Sequence, residues 1–537
     1  MENIKIMPPK KTTSPSSTSS ASGKCQAWAV YAVGFVLLFV FCTVVYGEVF
    51  AQIAAENFVC ADAEAMTYVR RMPFGMVFWA ARYVLLVFLN KWVGGLLMAL
   101  LLTLSAWLFD RTLARPFRCA PMLRGIGFLP VVGLLSWMVY RGYNLYFRCE
   151  ISTFVIQIFL LFFVSLVVAV VGWLAFRRNA PSETSGGLRR LPLCALVALA
   201  TYGGLTWQAL VKGENVRLTC AMQNRVAEGD WESVAELGRS AYNPTRSVAA
   251  YYAIALLQQN QLLEHIFDIP FNYLKLQLDY NAGDDEGVNY IADCNFFAGL
   301  LNSAYRTSME NLVVVGPRVN IYKRMALCAI LNDEQNLARR YLHLIGKMPF
   351  QQDFVERFSP FVGHIDQLLK DPVFANVYSR YPTDIMMEQH CRQPVFLGYN
   401  AIMMRGSDAS LVTSVATAMY SKSMDNFLMR VGVLAQKQSL PLCVQQALLI
   451  ASLRRPNLLD AYPQVRDNAM LASEFKRFSQ DISPFIAPAG SDDETKRESY
   501  RRIAEELRED WLGTYYYYYY SGNIDQTVSK SEQHGVN

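Results

Sequence analysis

Long apolar segments in the first 211 residues constrain this chain more than any other feature of its sequence. Four of them are apolar over about 20 residues, the length that a helix needs to cross ~30 Å of hydrocarbon. They cover residues 27–46, 92–109, 152–176 and 191–211. Hydrocarbon offers no hydrogen-bond partner to a peptide group, so such segments have to be helical. The sequence therefore predicts a transmembrane helix bundle over residues 25–211, with the lipid bilayer as its first partner.

Two further apolar segments need a second argument. Residues 126–140 are short and contain Pro130, whereas residues 74–90 contain Arg82. Basic loops remain in the cytoplasm, so clusters of Lys and Arg decide between them. The clusters are Lys5, Lys10, Lys11 and Lys24; Arg111, Arg115, Arg118 and Arg124; and Arg177, Arg178, Arg189 and Arg190. All three lie inside only if 126–140 crosses the membrane and 74–90 does not. We therefore predict five crossings, with 74–90 as a re-entrant or interfacial helix on the outer side.

An odd number of crossings puts the two ends of the chain on opposite sides of the membrane. Residues 1–24, polar and rich in Ser and Thr, are predicted to form a disordered cytoplasmic tail, and everything from residue 212 onward lies outside. Up to Gly213 the chain has 19 Lys and Arg against 8 Asp and Glu, and after it 31 against 37. The positive excess belongs to the membrane half, where it reports orientation. The net charge of +5 therefore does not indicate nucleic-acid binding.

Residues 212–512 have a helical pattern throughout. Apolar residues recur at i, i+3, i+4 and i+7, as in Val248, Tyr251, Tyr252 and Ala255, and short polar or proline turns separate these segments. Helix pairs joined by short turns are typical of an α-solenoid or an irregular bundle. The predicted fold is thus all-α, with a transmembrane bundle followed by an α-solenoid-like domain.

Some of these pairs are similar to tetratricopeptide repeats. Residues 227–234 resemble the junction between the two helices of such a repeat, where Gly229 would permit the tight turn and Trp231 would pack between helices. Residues 250–267 and 322–348 are further, weaker matches. Such repeats would provide a groove for a peptide or protein. The alternative is helical packing without a groove.

The C-terminal segment, residues 513–537, begins with a tyrosine run. A capping box at Ser491–Glu494 predicts one more helix before it, with Gly513 beyond its end. Tyr515 to Tyr520 are six consecutive tyrosines, which in an extended strand would alternate between two faces. We expect them to pack on the same chain or to lie at the membrane interface, and the remaining tail to be disordered.

Few residues of the sequence are candidates for catalysis or for binding a metal or cofactor. The sequence contains no phosphate-binding loop, nucleophile elbow or zinc-protease motif, and its five histidines are far apart, so it predicts no cofactor and no metal site. The low-ranking catalytic candidates are three acidic residues of the first outer loop, Glu48, Asp62 and Glu64, together with Arg82. Arg82 needs a partner at membrane depth, and Glu48 is the nearest candidate.

Two cysteines stand in the predicted outer loops. Cys60 lies in the first loop and Cys149 in the second, and an oxidising exterior would permit a disulfide between them. Two separate thiols are the alternative, because sequence does not give the distance between the residues.

The order of these features resembles a family of uncharacterised multi-pass inner-membrane proteins of Bacteroides-like bacteria, with a tetratricopeptide-like C-terminal region. The resemblance rests on short motifs along most of the chain, among them Pro73-Phe-Gly75, Gly127-Phe-Leu-Pro130 and Leu440-Pro441. It implies a bacterial inner membrane protein with a cytoplasmic N-terminus and a periplasmic helical domain. It implies no activity, and the tail departs from the family by having tyrosine throughout.

These features favour a binding protein over an enzyme. The first hypothesis is a membrane-anchored envelope scaffold whose periplasmic helical domain binds an envelope protein. The alternative is a lipid-linked sugar transferase, or a related cell-envelope enzyme, that uses carboxylates of the first outer loop as a base or as ligands of a divalent ion.

Overall fold

The computed structural model describes residues 19–60, 64, 66–113, 125–142, 150–175, 193–271, 287–381 and 407–521. Throughout these ranges the regular secondary structure is helical, and extended pairing is limited to one isolated bridge between Asn57 and Arg318. The predicted all-α class is confirmed for this part of the chain.

The chain forms two compact units. Unit 1 comprises Met1–Gly47, Asn90–Tyr140 and Phe154–Val211. Unit 2 comprises Glu48–Leu89, Arg141–Thr153 and Lys212–Asn537. The segments that contain both predicted outer loops thus belong to the same unit as the residues after 211, and the domain boundary at residue 212 stays a prediction.

Eight helices are described up to residue 211. They are α1 Ser19–Val40, α2 Gly47–Ala55, α3 Thr67–Arg71, α4 Gly75–Leu85, α5 Lys91–Leu113, α6 Phe128–Arg141, α7 Thr153–Ala175 and α8 Leu193–Val211. A π-helical turn, Phe41–Val45, continues α1, and a 3-10 turn, Leu86–Leu89, continues α4.

Four described helices are long and apolar enough to cross a membrane. They are Trp28–Val45, Lys91–Leu113, Thr153–Ala175 and Leu193–Val211. Their apolar side chains remain exposed, as at Val167 and Val171 of α7, which lipid would cover. Four of the five predicted crossings thus have the required length. The fifth, α6, is a shorter apolar helix of 14 residues.

Polar contacts join the helices of unit 1. Asp110 of α5 accepts hydrogen bonds from the Tyr31 hydroxyl at 2.8 Å and from the backbone N–H groups of Gly125 and Gly127 at 2.7 and 2.6 Å. These bonds hold the start of α6 against the end of α5. Interhelical hydrogen bonds are one of the interactions that hold apolar helices together in a membrane.

Unit 2 contains nineteen described helices after residue 211, most of them short. They are α9 Glu214–Glu228, α10 Trp231–Ser240, α11 Arg246–Gln258, α12 Leu262–His265, α13 Gly287–Phe297, α14 Leu301–Val315, α15 Val319–Leu331, α16 Gln335–Gly346, α17 Gln352–Phe358, α18 Ile365–Leu368, α19 Pro372–Ser379, α20 Asp408–Tyr420, α21 Met424–Lys437, α22 Leu442–Ser452, α23 Pro463–Arg466, α24 Ala469–Ile482, α25 Asp493–Glu506, α26 Arg508–Trp511 and α27 Tyr515–Ser521. One continuous hydrophobic core joins them, and it includes Phe58 and Val69 from the first outer loop.

One type of turn recurs in unit 2. Five helices end on a residue in the left-handed region, with φ between 51° and 82°: Gly229, Asn260, Gly299, Asp333 and Lys422. In each case the next backbone N–H returns to the carbonyl five residues earlier, as in a Schellman turn. The predicted role of Gly229 as the turn residue is confirmed. A solenoid arrangement of the helices stays a prediction.

The tyrosine run is a helix packed inside unit 2. Tyr515 to Tyr518 are buried, and Tyr519 and Tyr520 are half-buried. The Tyr515 hydroxyl donates to the Met419 carbonyl at 3.0 Å, and the Tyr518 ring lies 4.6 Å from that of Phe267. Packing on the same chain therefore accounts for these residues, and the backbone is helical and not extended.

Candidate partner-binding cleft

A cavity of unit 2 lies among helices α9, α10, α13, α14, α15, α17 and α19. Its volume is about 580 Å³, within the range of ~300–1,000 Å³ usual for ligand sites. Six aromatic side chains line it: Trp231, Phe296, Phe297, Phe354, Phe358 and Phe374.

The turn between α9 and α10 forms one edge of this cleft. Gly229, at φ +78°, closes α9, and the Asp230 carboxylate accepts the Ser233 N–H at 3.2 Å to cap α10. This cap places Trp231 at the first position of α10, with its ring centroid 5.4 Å from that of Phe297 in an edge-to-face contact. The predicted packing of Trp231 between helices is thus present, and its ring belongs to the cleft.

A half-buried ion pair crosses the cleft wall from α15 to α13. An Arg324 nitrogen lies 2.5 Å from the Asp293 carboxylate, whose second oxygen accepts the Tyr251 hydroxyl at 2.9 Å. The guanidinium also stacks over Phe296, 4.1 Å from the ring centroid. Burial raises the pKa of Tyr251 well above its ordinary value, and the adjacent Asp293 charge adds to this effect. Tyr251 is therefore a neutral donor that helps to position the ion pair.

Lys323 lies beside this pair with a different environment. Its ammonium lies 5.1 Å from the ring centroid of Phe354. Burial lowers the pKa of Lys323. Among the described residues no carboxylate lies within ion-pair distance of Lys323. Asp353, next to Phe354 and also in the cleft lining, is exposed.

The first outer loop contributes to the cleft through Glu56. Its carboxylate lies 2.6 Å from an Arg318 nitrogen, both side chains are buried, and Gln52 donates to the second oxygen at 3.2 Å. The backbone of Val319 also donates to the Glu56 carbonyl at 3.1 Å. The loop before α3 is thus joined to the N-terminus of α15 by charge and by backbone pairing.

The partner expected for Arg82 was wrong. Arg82 pairs with Glu150, 2.5 Å from Nε to Oε1, and not with Glu48. Arg82 also donates to the Phe58 carbonyl at 2.9 Å, and both charged side chains are buried. Glu48 instead accepts the side-chain amide of Asn224 at 3.1 Å. Arg82 and Glu150 thus join two separate segments of unit 2, and Glu48 contacts α9 of the same unit.

The other sequence candidates do not meet in one place. Glu64 is exposed, and Asp62 lies outside the described residues. Cys60 is buried, but Cys149 also lies outside the described residues, so the disulfide stays a prediction. In the described part of the chain, no group of three His, Cys, Asp or Glu residues is arranged to hold a metal ion.

Sequence reasoning missed the polar residues of the cleft. Asp293, Lys323 and Arg324 belong to no motif, and they come together only when α13 and α15 pack. One signal was available: Lys323 and Arg324 are the charged residues of α15, a helix that is otherwise mostly apolar. Charge on such a helix indicates a partner or a solvent-facing cleft.

Comparison with known proteins finds one family model that matches most of the chain. The match covers residues 136–522, and the family is described as a family of unknown function, DUF6057. No curated protein and no solved structure matches the chain.

Proposed function

Since the chain belongs to the DUF6057 family, whose description gives no activity, we propose a function from the structure. The protein is a membrane-anchored scaffold. Unit 1 spans the bilayer, unit 2 lies outside the cytoplasm, and the cleft of unit 2 binds a segment of an envelope protein.

Support for five crossings comes from the composition of unit 2. Residues 48–89, 141–153 and 212–537 pack into one unit, so all three lie on the same side of the membrane. After residue 89 the chain crosses to the other side of the membrane through α5. Since residues 141–153 lie on the original side again, α6 has to cross the bilayer in the opposite direction. At 14 residues, α6 is about 21 Å long. Local thinning of the bilayer and polar flanking residues can accommodate such a mismatch.

Support for the outward orientation comes from charge. Arginine clusters stand in the sequence at or after the ends of α5 and α7, and segments with such clusters remain in the cytoplasm. Exposed aromatic residues also lie near the ends of the spans, as at Trp92, Tyr140 and Trp207, where they suit the membrane interface. A bacterial inner membrane, with unit 2 in the periplasm, follows from the resemblance together with this orientation.

The observation that carries partner binding is the lining of the cleft. Aromatic rings and arginines are the residues that contribute most to protein interfaces, and here six rings line the same cleft as the Arg324–Asp293 pair. Because the pair and its Tyr251 donor are already formed, a partner meets a pre-organised surface. The spacing of the turns Gly229, Asn260, Gly299 and Asp333, at 31 to 39 residues, supports successive helix pairs as in peptide-binding repeats.

Photo-crosslinking in the native membrane tests this proposal. A photoreactive amino acid replaces Asp353 at the cleft, and in a matched strain it replaces Met470, an 82% exposed residue of α24. We expect a discrete adduct from position 353 alone. The adduct should disappear in Lys323→Glu and persist in Arg339→Glu, a charge reversal on α16 outside the cleft lining. Equal adducts from both positions, or insensitivity to Lys323→Glu, would contradict the proposal.

The sugar-transferase alternative stays a prediction. No contact of the described residues favours it, because Glu48 and Glu56 take part in packing interactions with Asn224 and Arg318. Its test is an envelope phenotype. If Glu48, Asp62 and Glu64 can all become alanine without the phenotype of a deletion strain, catalysis by these three carboxylates is excluded.

A further inference from the structure

Helix α4 has its polar and apolar sides reversed. Its one charged residue, Arg82, is 4% exposed, whereas its outward residues are apolar. Phe74, just before the helix, is 82% exposed, and Met76 and Val77 are 59% and 51% exposed. From residue 73 to residue 87, every exposed side chain is uncharged: Pro73, Phe74, Met76, Val77, Ala80, Tyr83 and Val87. A surface helix in water has the opposite arrangement.

A second element of unit 2 extends this apolar surface. At the end of α14, Val313 and Val314 are 82% and 71% exposed. Two residues after Val314, Gly316 lies against the ring of Tyr68. A Cβ atom on Gly316 would be 3.1 Å from Cε1 of that ring. Tyr68 belongs to α3, which leads directly into α4. We call the combined surface the apolar patch; its members are Tyr68, Phe74, Met76, Val77, Tyr83, Val87, Val313 and Val314.

Such a patch is unusual on a protein surface that faces water. Contiguous exposed apolar areas above a few hundred Å² generally mark a binding surface. The chain itself indicates what covers this one. Five residues after the end of α4, Asn90 caps the next helix: its side-chain oxygen accepts the Trp92 N–H at 3.0 Å. Lys91 then begins a candidate membrane span. The end of α4 is therefore held at the membrane surface by covalent connection.

The residues in and around the apolar patch are also of the types found at a membrane surface. Tyr68 and Tyr83 have the amphipathic rings that are enriched at the lipid–water interface. Arg70 and Arg71 of α3 are exposed and basic, so they complement anionic headgroups.

We propose that the apolar patch lies in the outer lipid–water interface of the bilayer, with acyl chains as its occupant. Residues of the C-terminal domain, Val313 and Val314, enter the interface together with α4. Unit 2 is then held to the membrane by this surface as well as by its connections to the spans.

Fluorescence quenching in the full-length protein tests this inference. A fluorescent amino acid replaces Phe74 or Val313, and the matched control replaces Met470, which is as exposed as Phe74. The proteins are reconstituted in vesicles of phosphatidylethanolamine and phosphatidylglycerol, with and without brominated acyl chains. We expect brominated lipid to quench positions 74 and 313 several-fold more than position 470, and aqueous iodide to show the reverse order.

Two results would overturn it. Strong iodide quenching at positions 74 and 313 would show that the patch faces water. Protection from both quenchers would show that protein, such as a second copy of the chain, covers it. Neither result would bear on partner binding in the cleft, which the crosslinking experiment measures separately.

Discussion

Arg82 and Glu150 form a buried ion pair between two segments that are 68 residues apart in the sequence. The distance from Nε to Oε1 is 2.5 Å, and the second carboxylate oxygen accepts the backbone N–H of Ser152 at 2.8 Å. The pair therefore joins α4 to the segment before α7. It also makes both segments part of one folding unit.

Loss of one member of this pair should destabilise unit 2 strongly. Glu150→Gln leaves a buried guanidinium without its counter-charge, which typically costs ~3–5 kcal/mol. The matched control is Asp425→Asn, because its partner Arg455 lies at a similar 2.8 Å but both side chains are exposed. There we expect a change of less than about 1 kcal/mol. Thermal unfolding of the full chain in detergent measures both, and equal shifts would contradict the buried pair.

The two outer loops and the C-terminal domain should be labelled from the same side of the membrane. Glu64→Cys and Met470→Cys both place a thiol at an exposed position of unit 2. In intact spheroplasts a membrane-impermeant maleimide should modify both. A thiol introduced at Arg118 should react only after permeabilisation, and the parent chain gives the background of its native cysteines. Protection of position 470 with labelling of position 64 would show that they lie on opposite sides.

Two glycines in the same type of turn should respond differently to alanine. Gly229 and Gly299 both have a left-handed backbone, with φ of 78° and 82°. A Cβ at Gly229 meets no atom within 4 Å, so Gly229→Ala should cost only the conformational penalty of ~1–2 kcal/mol. A Cβ at Gly299 would lie 2.6 Å from the backbone carbon of Arg380, so Gly299→Ala should cost clearly more. Comparison of the two unfolding midpoints checks this, and equal values would contradict the close approach.

The hydroxyl groups of two adjacent tyrosines of α27 should contribute differently to the free energy of unfolding. Tyr515 and Tyr516 are both fully buried, but only the Tyr515 hydroxyl has a hydrogen-bond acceptor among the described residues, the Met419 carbonyl. Tyr515→Phe should cost ~0.5–1.5 kcal/mol. Tyr516→Phe removes a buried hydroxyl without such a bond and should be neutral or stabilising. Denaturant unfolding of the two variants side by side is the measurement, and the reverse order would exclude the observed pairing.

Lys422 should make the stability of unit 2 depend on pH. Burial lowers its pKa from 10.5 to about 7, and its ammonium donates to the Tyr519 carbonyl at 2.7 Å. Between these values the unfolded chain binds a proton that the folded chain does not, so stability rises with pH. Lys422 lines a cavity together with two charged residues, Asp425 and Arg454. Both residues are unchanged in the variants compared below.

Lys422→Met removes this titration. The stability of the variant relative to that of the parent chain should therefore rise as pH falls from about 9 to about 7, because in this range only the parent has to release a proton from residue 422 when it folds. Thermal midpoints at several pH values measure the difference. Lys437→Met, on the neighbouring α21, controls for the loss of a lysine. Parallel curves for Lys422→Met and the parent would show that burial does not shift this amine.

Local features of the sequence predicted local features of the fold. Apolar runs identified the spans because the membrane requirement depends on length and composition alone. Gly229 predicted the turn between two helices, since such a turn is formed within a few residues. The pairing of Arg82 could not be predicted in this way. Glu48 was the nearest acidic residue in the predicted topology, whereas Glu150 becomes adjacent only when two loops fold together.

The tyrosine run and the cleft show the same limit. Tyrosine favours strands in isolation, yet Tyr515 to Tyr518 are helical because that geometry directs their rings into an existing apolar surface. The cleft combines residues from Glu56 to Phe374, and nothing in the local sequence indicates that they share a cavity.

The ion pair between Glu56 and Arg318 has a practical consequence for biochemistry on this chain. A truncated fragment that starts at Lys212 retains the guanidinium but loses the carboxylate 262 positions upstream, together with the Phe58 ring that belongs to the same core. Expression without the anchor would then yield an unstable or insoluble product, even though residues 212–521 read as a self-contained domain. Recombinant work should use the intact chain, or graft residues 48–89 and 141–153 back onto the fragment.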